Sequence, residues 1–493
     1  MASKNILLFG AGKSATVLIE YLIDEANAND WQIIIADANL DLILQKTANR
    51  DRSLAVEIDI NNTDKRNQLI NESDIVISMM PPALHILIAN DCIKFRKSLL
   101  TASYADDSIK SLENLVDQNG LLFLCEMGLD PGIDHMSAME LIDEIKEEGG
   151  EIVSFKSHCG GLVAPESDDN PWHYKISWNP RNVVLAGKAG AVYLDNGVVV
   201  KESYEDLFNS NRTVTIENEK NAIFSYYPNR NSLPYIDLYH LPKVKTFIRT
   251  TLRYEEFMQG WKNLIELHLT DETPSFNSNG KSLKDFYKEH FDKNGFNNWL
   301  DHKLSKQFSE SNKLLEDLEK LMSGDDSEKS TLTSDEKNPE ADHMKFNTVA
   351  QIATKMESAN LILKQLFYLG LDDAETLINK GLCSPADVLQ ISLENKLALQ
   401  ESDKDMVVML HEIEYLLNNK THLIKSSLLV KGKDNLHTAM AKTVGLPLGI
   451  AAKLILNKTI ETKGIQIPTK KEIYKPVLQE LKKYGIEFKE TRS

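Results

Sequence analysis

The chain has 493 residues, 42% of them hydrophobic, so it can bury more than one core and is expected to form two or three domains. Its 56 basic and 73 acidic side chains leave a formal net charge of −17, which argues against nucleic acid and anionic membranes as partners. Four cysteines without CxxC spacing argue against a zinc site or a disulfide framework, and no metal site is predicted.

The N-terminus runs into an apolar strand with no recognisable signal or transit peptide before it. No apolar run approaches the roughly 20 residues that a membrane helix needs. We therefore expect a soluble, cytoplasmic protein.

A dinucleotide-binding pattern opens the chain. Residues 5–9 are typical of a buried strand, a Gly-x-Gly-x-x-Ala loop follows, and apolar positions then recur at helical spacing. Gly10 permits the tight turn, Gly12 lets the backbone approach a pyrophosphate, and Ala15 allows close packing of helix on strand. The helix N-terminus then supplies N–H groups and a positive dipole end to the phosphates.

Asp37 ends the next predicted strand, 32–36, about where an acidic residue reaches the adenine ribose. Its carboxylate can accept both ribose hydroxyls, whereas a 2′-phosphate beside it would meet like charge. This favours NAD over NADP. The alternative is that Asp37 only caps the helix that starts near Asn39.

The alternation of strand and helix continues to residue 130. Strands are predicted at 54–58, 74–79, 98–102 and 121–125, with helices at 63–71, 84–95 and 108–118. Six strands in this order predict a Rossmann-type, doubly wound parallel sheet over residues 1–130. The strand ends converge on one rim, which would carry Gly12, Asp59, Met80, Ser103, Tyr104 and Asp130.

The segment Cys125–His135 is the predicted pivot between two domains. Its two glycines flank an Asp-Pro pair and allow a sharp turn at the end of a parallel strand. Asp130 would then lie close to a bound nucleotide. The alternative is an ordinary loop with a solvated aspartate.

Residues 131–435 are expected to form an α+β domain for substrate and dimerisation. A helix at 137–148 precedes a strand around 151–158, and further strands lie within 183–200 and 212–227, with turns at Asn196-Gly197 and near Asn218. Cys159 is either a thiol near the chemistry or a small buried side chain. Arg230 and Arg253 stand in apolar surroundings and need an anion, from an internal carboxylate or from a ligand.

Residues 270–400 are predicted to be mostly helical around a polar loop. The stretch 323–344 is charged and almost devoid of large apolar groups, which is typical of a mobile loop, and helices are predicted at 346–368, 371–379 and 386–400. A buried strand begins at Lys404. The apolar helix 436–456 opens a C-terminal segment, 436–493, that is expected to return to the first domain.

Several motifs together resemble the saccharopine dehydrogenase (saccharopine reductase) family, in particular its L-glutamate-forming type. The resemblance covers nearly the whole chain in order, apart from the polar insertion. It is carried by 102–104 (Ala-Ser-Tyr), 126–135 (Glu-Met-Gly-Leu-Asp-Pro-Gly-Ile-Asp-His), 159–166 (Cys-Gly-Gly-Leu-Val-Ala-Pro-Glu), 174–178 (Tyr-Lys-Ile-Ser-Trp), 227–230 (Tyr-Pro-Asn-Arg), 251–254 (Thr-Leu-Arg-Tyr), 404–407 (Lys-Asp-Met-Val) and 439–447 (Ala-Met-Ala-Lys-Thr-Val-Gly-Leu-Pro).

The resemblance implies two sets of contact residues. The nucleotide contacts are Gly10, Ala11, Gly12, Lys13, Ser14, Asp37, Asp59, Ile60, Met80, Ala102, Ser103, Leu129, Asp130 and Pro131. The substrate contacts are Ser103, Tyr104, Asp130, Arg230, Thr251 and Arg253. Asp130 is the candidate acid–base group, and Tyr104 its hydrogen-bonding support.

The chain departs from the family pattern at two places. Fungal members favour NADP and carry an arginine-containing turn near position 37, whereas Asp37 resembles the NAD-using animal half. His158 stands where the family often has tyrosine, which leaves a role for position 158 insecure.

The resemblance implies oxidative cleavage of saccharopine with NAD and water to L-glutamate and 2-aminoadipate 6-semialdehyde, or the reverse condensation, in lysine metabolism. The lysine–ketoglutarate reductase half of the bifunctional animal proteins has no counterpart in these motifs, so only this reaction is implied. A homodimer is the expected assembly. The alternatives are a carboxynorspermidine dehydrogenase-like reductase and a non-catalytic nucleotide-binding protein.

Overall fold

The structure is a computed structural model that describes residues 3–48, 50–209, 212–216, 222–299, five positions between 302 and 309, and 360–493. The predicted polar loop 323–344, and the part of the predicted helix 346–368 before residue 360, lie outside the described residues. So does the predicted turn near Asn218.

The first sheet is parallel and has seven strands in the order β18-β6-β5-β4-β1-β2-β3. The six expected strands are present, and β18 from the C-terminal segment pairs with β6 as a seventh. The strands are β1 (Asn5–Phe9), β2 (Gln32–Asp37), β3 (Ser53–Glu57), β4 (Ile75–Ser78), β5 (Ser98–Thr101), β6 (Leu122–Leu124) and β18 (Gly464–Gln466).

Helices cover both faces of this sheet, as expected for a doubly wound fold. Alternate residues of β1 point to opposite sides, so Ile6 and Leu8 belong to one buried cluster and Leu7 and Phe9 to another. The helices before the pivot are Thr16–Asn29, Leu40–Thr47, Thr63–Asn71, His85–Phe95, Asp107–Lys110 and Glu113–Gln118, with short 3₁₀ turns at Lys13–Ala15 and Pro82–Leu84.

The second sheet is mixed and has ten strands, ordered β10-β11-β13-β7-β16-β17-β19 with β8, β9 and β12 attached at one side. Its long strands β7 and β16 are antiparallel, and β13 runs parallel to β7. The strands are β7 (Glu151–Val163), β8 (Ala191–Asp195), β9 (Val198–Glu202), β10 (Thr213–Ile216), β11 (Ala222–Pro228), β12 (Arg230–Asn231), β13 (Thr246–Arg253), β16 (Asp405–Leu417), β17 (Lys420–Lys431) and β19 (Lys489–Arg492).

Most of the remaining helices pack around this second sheet, and a small pair of strands, β14 (Phe276–Asn277) and β15 (Leu382–Cys383), joins the helical region. The helices are Ile133–Glu147, Pro180–Val184, Tyr204–Leu207, Pro234–Leu238, Glu255–Glu266, Leu283–Asn294, residues 360–368, Pro385–Lys396, Ala439–Leu456 and Lys471–Lys483, with 3₁₀ turns at Pro165–Ser167 and Phe296–Asn298.

Some local predictions are wrong. Residues 371–379 are not helical, because Gly370 adopts a φ of 95° and the Asp373 carboxylate accepts the N–H groups of Glu375 and Thr376 in a turn. Residues 183–184 end a helix rather than start a strand, and the predicted helix 108–118 is two short helices.

The helix Ala439–Leu456, which begins the C-terminal segment, joins the two sheets into one body. Gly445 and Gly449 let it lie directly on Leu18 and Tyr21 of the first helix. Asp405 at the start of β16 accepts the N–H groups of Ala439 and Met440, and so fixes the start of the helix. By length and composition this helix could cross a membrane, contrary to the sequence expectation, but 78% of it is buried in the protein.

Candidate functional site

The glycine loop after β1 leaves open space where a pyrophosphate would lie. A side chain at Gly12 would meet nothing within 4 Å, so the protein itself does not require glycine there. Gly10 differs, because its φ is 96° and a Cβ would lie 3.1 Å from the backbone of Met79. Lys13 and Ser14 follow in the turn that leads into the first helix.

Asp37 ties this loop to the end of β2. Its Oδ2 accepts the N–H of Ala11 at 2.7 Å and its Oδ1 accepts the N–H of Asn39 at 2.9 Å. The N-cap of the next helix is Asn39, whose side chain accepts the N–H of Leu42 at 3.0 Å. Asp37 is therefore not the helix cap, and its carboxylate stands beside the glycine loop.

Lys46 is a cation at the same rim that sequence reasoning missed. Its Nζ donates to the carbonyl of Gly12 at 2.5 Å. Burial lowers the pKa of Lys46 to about 8, although the Asp37 carboxylate acts to raise it. A positive and a negative side chain thus both contact the glycine loop.

Asp59, Ile60 and Met80 follow β3 and β4 at the same edge of the sheet. The Asp59 Oδ1 accepts the N–H of Asn61 at 2.9 Å, and a buried guanidinium, Arg66, donates to the carbonyl of Ile60. Asp91 holds Arg66 in place at 2.6 Å. The buried pair of Arg66 and Asp91 therefore holds in place the loop after β3, which is predicted to contact the nucleotide.

His85 holds Ser103 at the end of β5, next to Ala102. Its Nε2 lies 2.9 Å from the Ser103 Oγ and its Nδ1 lies 2.8 Å from the Ser78 Oγ. Burial lowers the pKa of His85 to about 4, so the ring is neutral at physiological pH. This contact also went unpredicted, although His85 lies only three residues beyond the Pro81-Pro82 pair.

The pivot loop turns tightly beside Ser103. The Asp130-Pro131 peptide is cis, Leu129 is buried, and Gly132 has a φ of 146° with no room for a side chain against Gly128. Asp130 leaves this turn with its side chain 14% exposed. The turn thereby places a carboxylate between the two sheets.

Arg249 on β13 binds two carboxylates of the pivot. Its Nη2 donates to Asp130 Oδ1 at 2.5 Å and to Asp134 Oδ2 at 2.7 Å. The guanidinium also lies 4.4 Å from the ring centre of Tyr235 and 6.0 Å from that of Tyr104. Arg249 was not among the predicted residues, yet it joins the second sheet to the pivot loop.

The two carboxylates differ in proton affinity. Burial raises the pKa of Asp130 to about 6, against the lowering by Arg249 and with a further rise from the Asp134 carboxylate. Burial acts on Asp134 in the same sense, but His135, Arg249 and the N–H of Gly132 outweigh it and hold its pKa below the usual range. Of the two carboxyl groups, Asp130 therefore has the higher pKa.

A second buried network stands behind this pair. His135 Nε2 lies 2.9 Å from Glu126 Oε2, and His135 Nδ1 lies 2.6 Å from the Tyr239 hydroxyl. Tyr235 also donates to Glu126, at 3.2 Å. These contacts fix the first turn of the helix Ile133–Glu147, which carries Asp134.

Tyr104 and Arg230 lie next to Arg249, which binds the carboxylate pair. The Arg230 guanidinium lies 5.2 Å from the centre of the Tyr104 ring, and Arg230 makes no ion pair with an Asp or Glu among the described residues. Burial raises the pKa of Tyr104, so its hydroxyl stays protonated. The structure thus brings together Tyr104, Asp130 and Arg230 with the unpredicted Arg249.

Arg253 and Thr251 lie farther along the same face of β13 as Arg249, since alternate residues of a strand share a face. Arg253 is buried against Tyr174 and Phe257, with its guanidinium 5.4 and 5.3 Å from their ring centres. It donates to the Leu252 carbonyl, its Nε has no partner, and no described carboxylate pairs with it. Four residues along a strand span about 13 Å, so Arg253 does not touch Asp130.

Cys159 and His158 face opposite sides of β7. Cys159 pairs in register with Thr251, and burial raises the pKa of its thiol well above the usual value. A neutral buried thiol is a weak nucleophile. His158 lies on the opposite face of β7, 2.7 Å from the Thr250 hydroxyl and against the ring of Tyr226. The sheet therefore separates His158 from Asp130.

This arrangement defines a class of protein. A Rossmann-type sheet with an open glycine loop meets a second domain at a buried carboxylate pair with cationic side chains beside it. The open space at Gly12 suits the pyrophosphate of a nucleotide, and the cationic side chains suit an anionic substrate. This is the architecture of a two-domain oxidoreductase.

Comparison with known proteins gives the family. Residues 6–123 match the family described as saccharopine dehydrogenase NADP binding domain, and residues 128–486 match the saccharopine dehydrogenase C-terminal domain. The chain belongs to the saccharopine dehydrogenase family.

Individual relatives align along the full chain. It is 32% identical over 491 residues to saccharopine dehydrogenase (NADP(+), L-glutamate-forming) of Saccharomyces cerevisiae, covering 99% of each protein. It is also 32% identical to the mitochondrial alpha-aminoadipic semialdehyde synthase of Rattus norvegicus, over 98% of this chain but only 47% of that protein. The solved apo saccharopine dehydrogenase (L-Glu forming) from Saccharomyces cerevisiae superposes with a TM-score of 0.77 at 29% identity, covering 100% of both chains.

Proposed function

We propose that this protein is an NAD-linked saccharopine dehydrogenase that cleaves saccharopine to L-glutamate and 2-aminoadipate 6-semialdehyde, or runs the reverse condensation. The observation that carries the proposal is the meeting of Tyr104 from the first sheet with Asp130 of the pivot loop and with Arg230 and Arg249 of the second sheet. The name of the full-length yeast relative supports the same reaction class.

The residues suit an elongated substrate with three carboxylates and a secondary amine. Arg230 and Arg253 have no carboxylate partner among the described residues, so each is available to a ligand carboxylate. They approach the cleft from different strands, which suits carboxylates at different ends of one molecule. Arg249 differs from them because Asp130 and Asp134 already occupy it.

The chemistry requires a proton acceptor at the secondary nitrogen. An ammonium has no lone pair, so it must lose a proton before the carbon beside it can release a hydride. Asp130, with its raised pKa, takes that proton, and the Tyr104 hydroxyl supports it by hydrogen bonding. When bound, the nicotinamide nucleotide supplies the hydride acceptor.

Asp37 supports NAD as the preferred nucleotide, although the yeast relative is named for NADP(+). Its carboxylate is held in place by two backbone N–H groups and would repel a 2′-phosphate. Gly10, Ala11, Gly12, Lys13 and Ser14 would hold the pyrophosphate, with Asp59, Ile60, Met80, Ala102, Leu129 and Pro131 along the rest of the nucleotide.

Initial rates of nucleotide reduction test the proposal. Saccharopine should be oxidised with NAD at a higher kcat/KM than with NADP, and carboxynorspermidine should be a poor substrate because it offers fewer carboxylates to the arginines. Asp37→Ser should reverse or erase the preference for NAD. No reduction of either nucleotide with saccharopine would refute the function, and an unchanged preference in Asp37→Ser would refute the assignment of Asp37.

A cytoplasmic homodimer stays a prediction. Light scattering of the purified protein would give the mass of the assembly, and a monomer at micromolar concentration would contradict the prediction.

A further inference from the structure

We propose that Arg249 and Asp134 are positioning residues that hold the Asp130 carboxylate ready to accept the proton of the substrate's secondary amine. The inference rests on the proposed function, because it assigns the groups that prepare Asp130 for that step.

Arg249 has the geometry of a fixed clamp. The residue is 3% exposed, and one nitrogen, Nη2, binds Asp130 and Asp134 at 2.5 and 2.7 Å. The rings of Tyr235 and Tyr104 border the guanidinium. Because two rings and two carboxylates fix the guanidinium, its hydrogen bond to Asp130 holds that carboxylate in a fixed position relative to β13.

Asp134 is the fixed member of the carboxylate pair. Its Oδ1 accepts the N–H of Gly132 at 2.6 Å, and its Oδ2 lies 3.6 Å from His135 Nδ1. It is 1% exposed and sits in the first turn of the helix Ile133–Glu147, whose positive end favours an anion. A proton that enters the pair is therefore held on Asp130.

One guanidinium faces two carboxylates, so the cluster of three carries one net negative charge when both are ionised. The step proposed here moves one proton. The N–H bond of the substrate ammonium breaks and leaves its electron pair on nitrogen, while an O–H bond forms on Asp130. The cluster then becomes neutral, and the protonated Asp130 can donate its hydrogen bond to Asp134.

Several elements present charged or titratable groups to Asp130. They are Arg249 on β13, Asp134 and His135 on the helix Ile133–Glu147, Tyr104 after β5, and Cys159 on β7. Tyr104 and Cys159 stay neutral because burial raises the pKa of each. Of these groups, Arg249 and Asp134 are the charged side chains hydrogen-bonded to the Asp130 carboxyl.

Two substitutions should move the acidic limb of the kcat/KM profile for saccharopine in opposite directions. Arg249→Gln removes a positive charge, so Asp130 should hold its proton to a higher pH. The apparent pKa of the acidic limb should therefore rise by roughly one pH unit. Asp134→Asn removes a negative charge, so the apparent pKa of the acidic limb should fall by a similar amount. Arg249→Lys keeps the charge and should leave the limb close to its wild-type position.

A matched control is Arg212→Gln. Arg212 is a partly buried arginine, paired with Glu202 at 2.5 Å and lying over the ring of Tyr193, and no described contact joins it to Asp130 or Asp134. Its loss should lower thermal stability without moving the limb. A structural defect alone would lower the rate of either variant without opposite shifts in pH.

Opposite shifts support the proposal, and shifts of one sign or none overturn it. If Arg249→Gln does not fold, Asp134→Asn and Arg249→Lys decide the outcome. An infrared titration of the wild type, with the spectrum of Asp130→Asn subtracted, measures the protonation of the Asp130 carboxyl against pH without any turnover. If the wild type does not oxidise saccharopine, the proposed function fails, and the titration in the Asp134→Asn background still decides whether Asp134 controls Asp130.

Discussion

At the scale of single residues, the two glycines of the nucleotide loop lack side chains for different reasons. Gly10 is required by the fold, because its φ is positive and the backbone of Met79 lies against it. Gly12 has an ordinary φ of −63° and open space where its Cβ would be, so the fold itself does not require glycine there, and the proposed nucleotide would account for it.

Gly12→Ala should therefore keep the thermal midpoint of unfolding within about a degree of wild type while raising KM for the nucleotide at least roughly tenfold, since a methyl group would meet the pyrophosphate. Gly10→Ala should instead cost about 1–3 kcal/mol of stability. Thermal melts and nucleotide titrations of both variants separate the two effects. Equal losses of stability in the two variants would contradict a ligand at Gly12.

The sequence predicts residues with a local role better than residues that meet across the cleft. Gly12, Asp37 and Asp130 are recognisable because a turn or a strand end needs those residue types. Arg249 is not, since Arg249, Thr251 and Arg253 share one face of β13 and only the register with β7 decides which one reaches the pivot loop. That register depends on pairing between distant strands, which no local pattern encodes.

At the scale of elements, the helix Ala439–Leu456 holds the first helix and its glycine loop in place. A Cβ at Gly449 would lie 2.5 Å from the Tyr21 ring, and one at Gly445 would lie 2.9 Å from the Cβ of Leu18. The contact leaves no room for side chains, so the two helices approach closely.

Gly449→Leu should destabilise the protein by about 1–3 kcal/mol through overpacking and should weaken nucleotide binding as the first helix shifts. Val444→Leu, on the half-buried side of the same helix, should change stability by less than about 1 kcal/mol. Chemical unfolding of both variants measures the difference. A Gly449→Leu variant as stable as wild type would mean that the close packing is not needed.

Short elements explain much of what the sequence did not predict at this scale. β18 has three residues, Gly464–Gln466, too few to show an alternating pattern, so the seventh strand was missed although the return of the C-terminal segment was expected. The predicted helix at 371–379 failed because its polar residues serve a turn through Asp373. The helix Thr63–Asn71, whose start is marked by the N-cap Asn62, matches its predicted bounds.

At the scale of the whole molecule, one buried cluster runs from the first sheet through the helices Ile133–Glu147 and Ala439–Leu456 into the second sheet. Buried ionisable groups link the stability of the protein to pH. His85 and His411 are buried, and burial lowers the pKa of each to about 4.

Stability should therefore fall on acidification. The folded-state pKa of each histidine lies below the unfolded value near 6.5, so its contribution is present above pH 6.5 and is lost as the pH falls toward 4, at about 3 kcal/mol for each ring. Asp130 opposes this in part, because its folded pKa is raised and its contribution is lost as the pH rises through 6. Urea unfolding from pH 7 to pH 4 measures the sum.

His411→Phe provides the control for the change of the unfolding free energy with pH. His411 stacks between Phe155 and Phe488, so a phenyl ring fits its place, and Ser137 keeps a hydrogen bond to the Ile133 carbonyl. The variant should lose less stability than wild type between pH 6.5 and 4. An identical slope would show that His411 is not the titrating group.

The central claim is that a nicotinamide nucleotide and a tricarboxylate amine meet in the cleft beside Asp130. A crystal structure with NAD and saccharopine tests it most directly. We predict that the secondary nitrogen lies about 3 Å from an Asp130 oxygen, that the carbon beside it faces the nicotinamide ring, and that Arg230 and Arg253 bind substrate carboxylates. Saccharopine bound away from Asp130, with both arginines free of its carboxylates, would contradict the account.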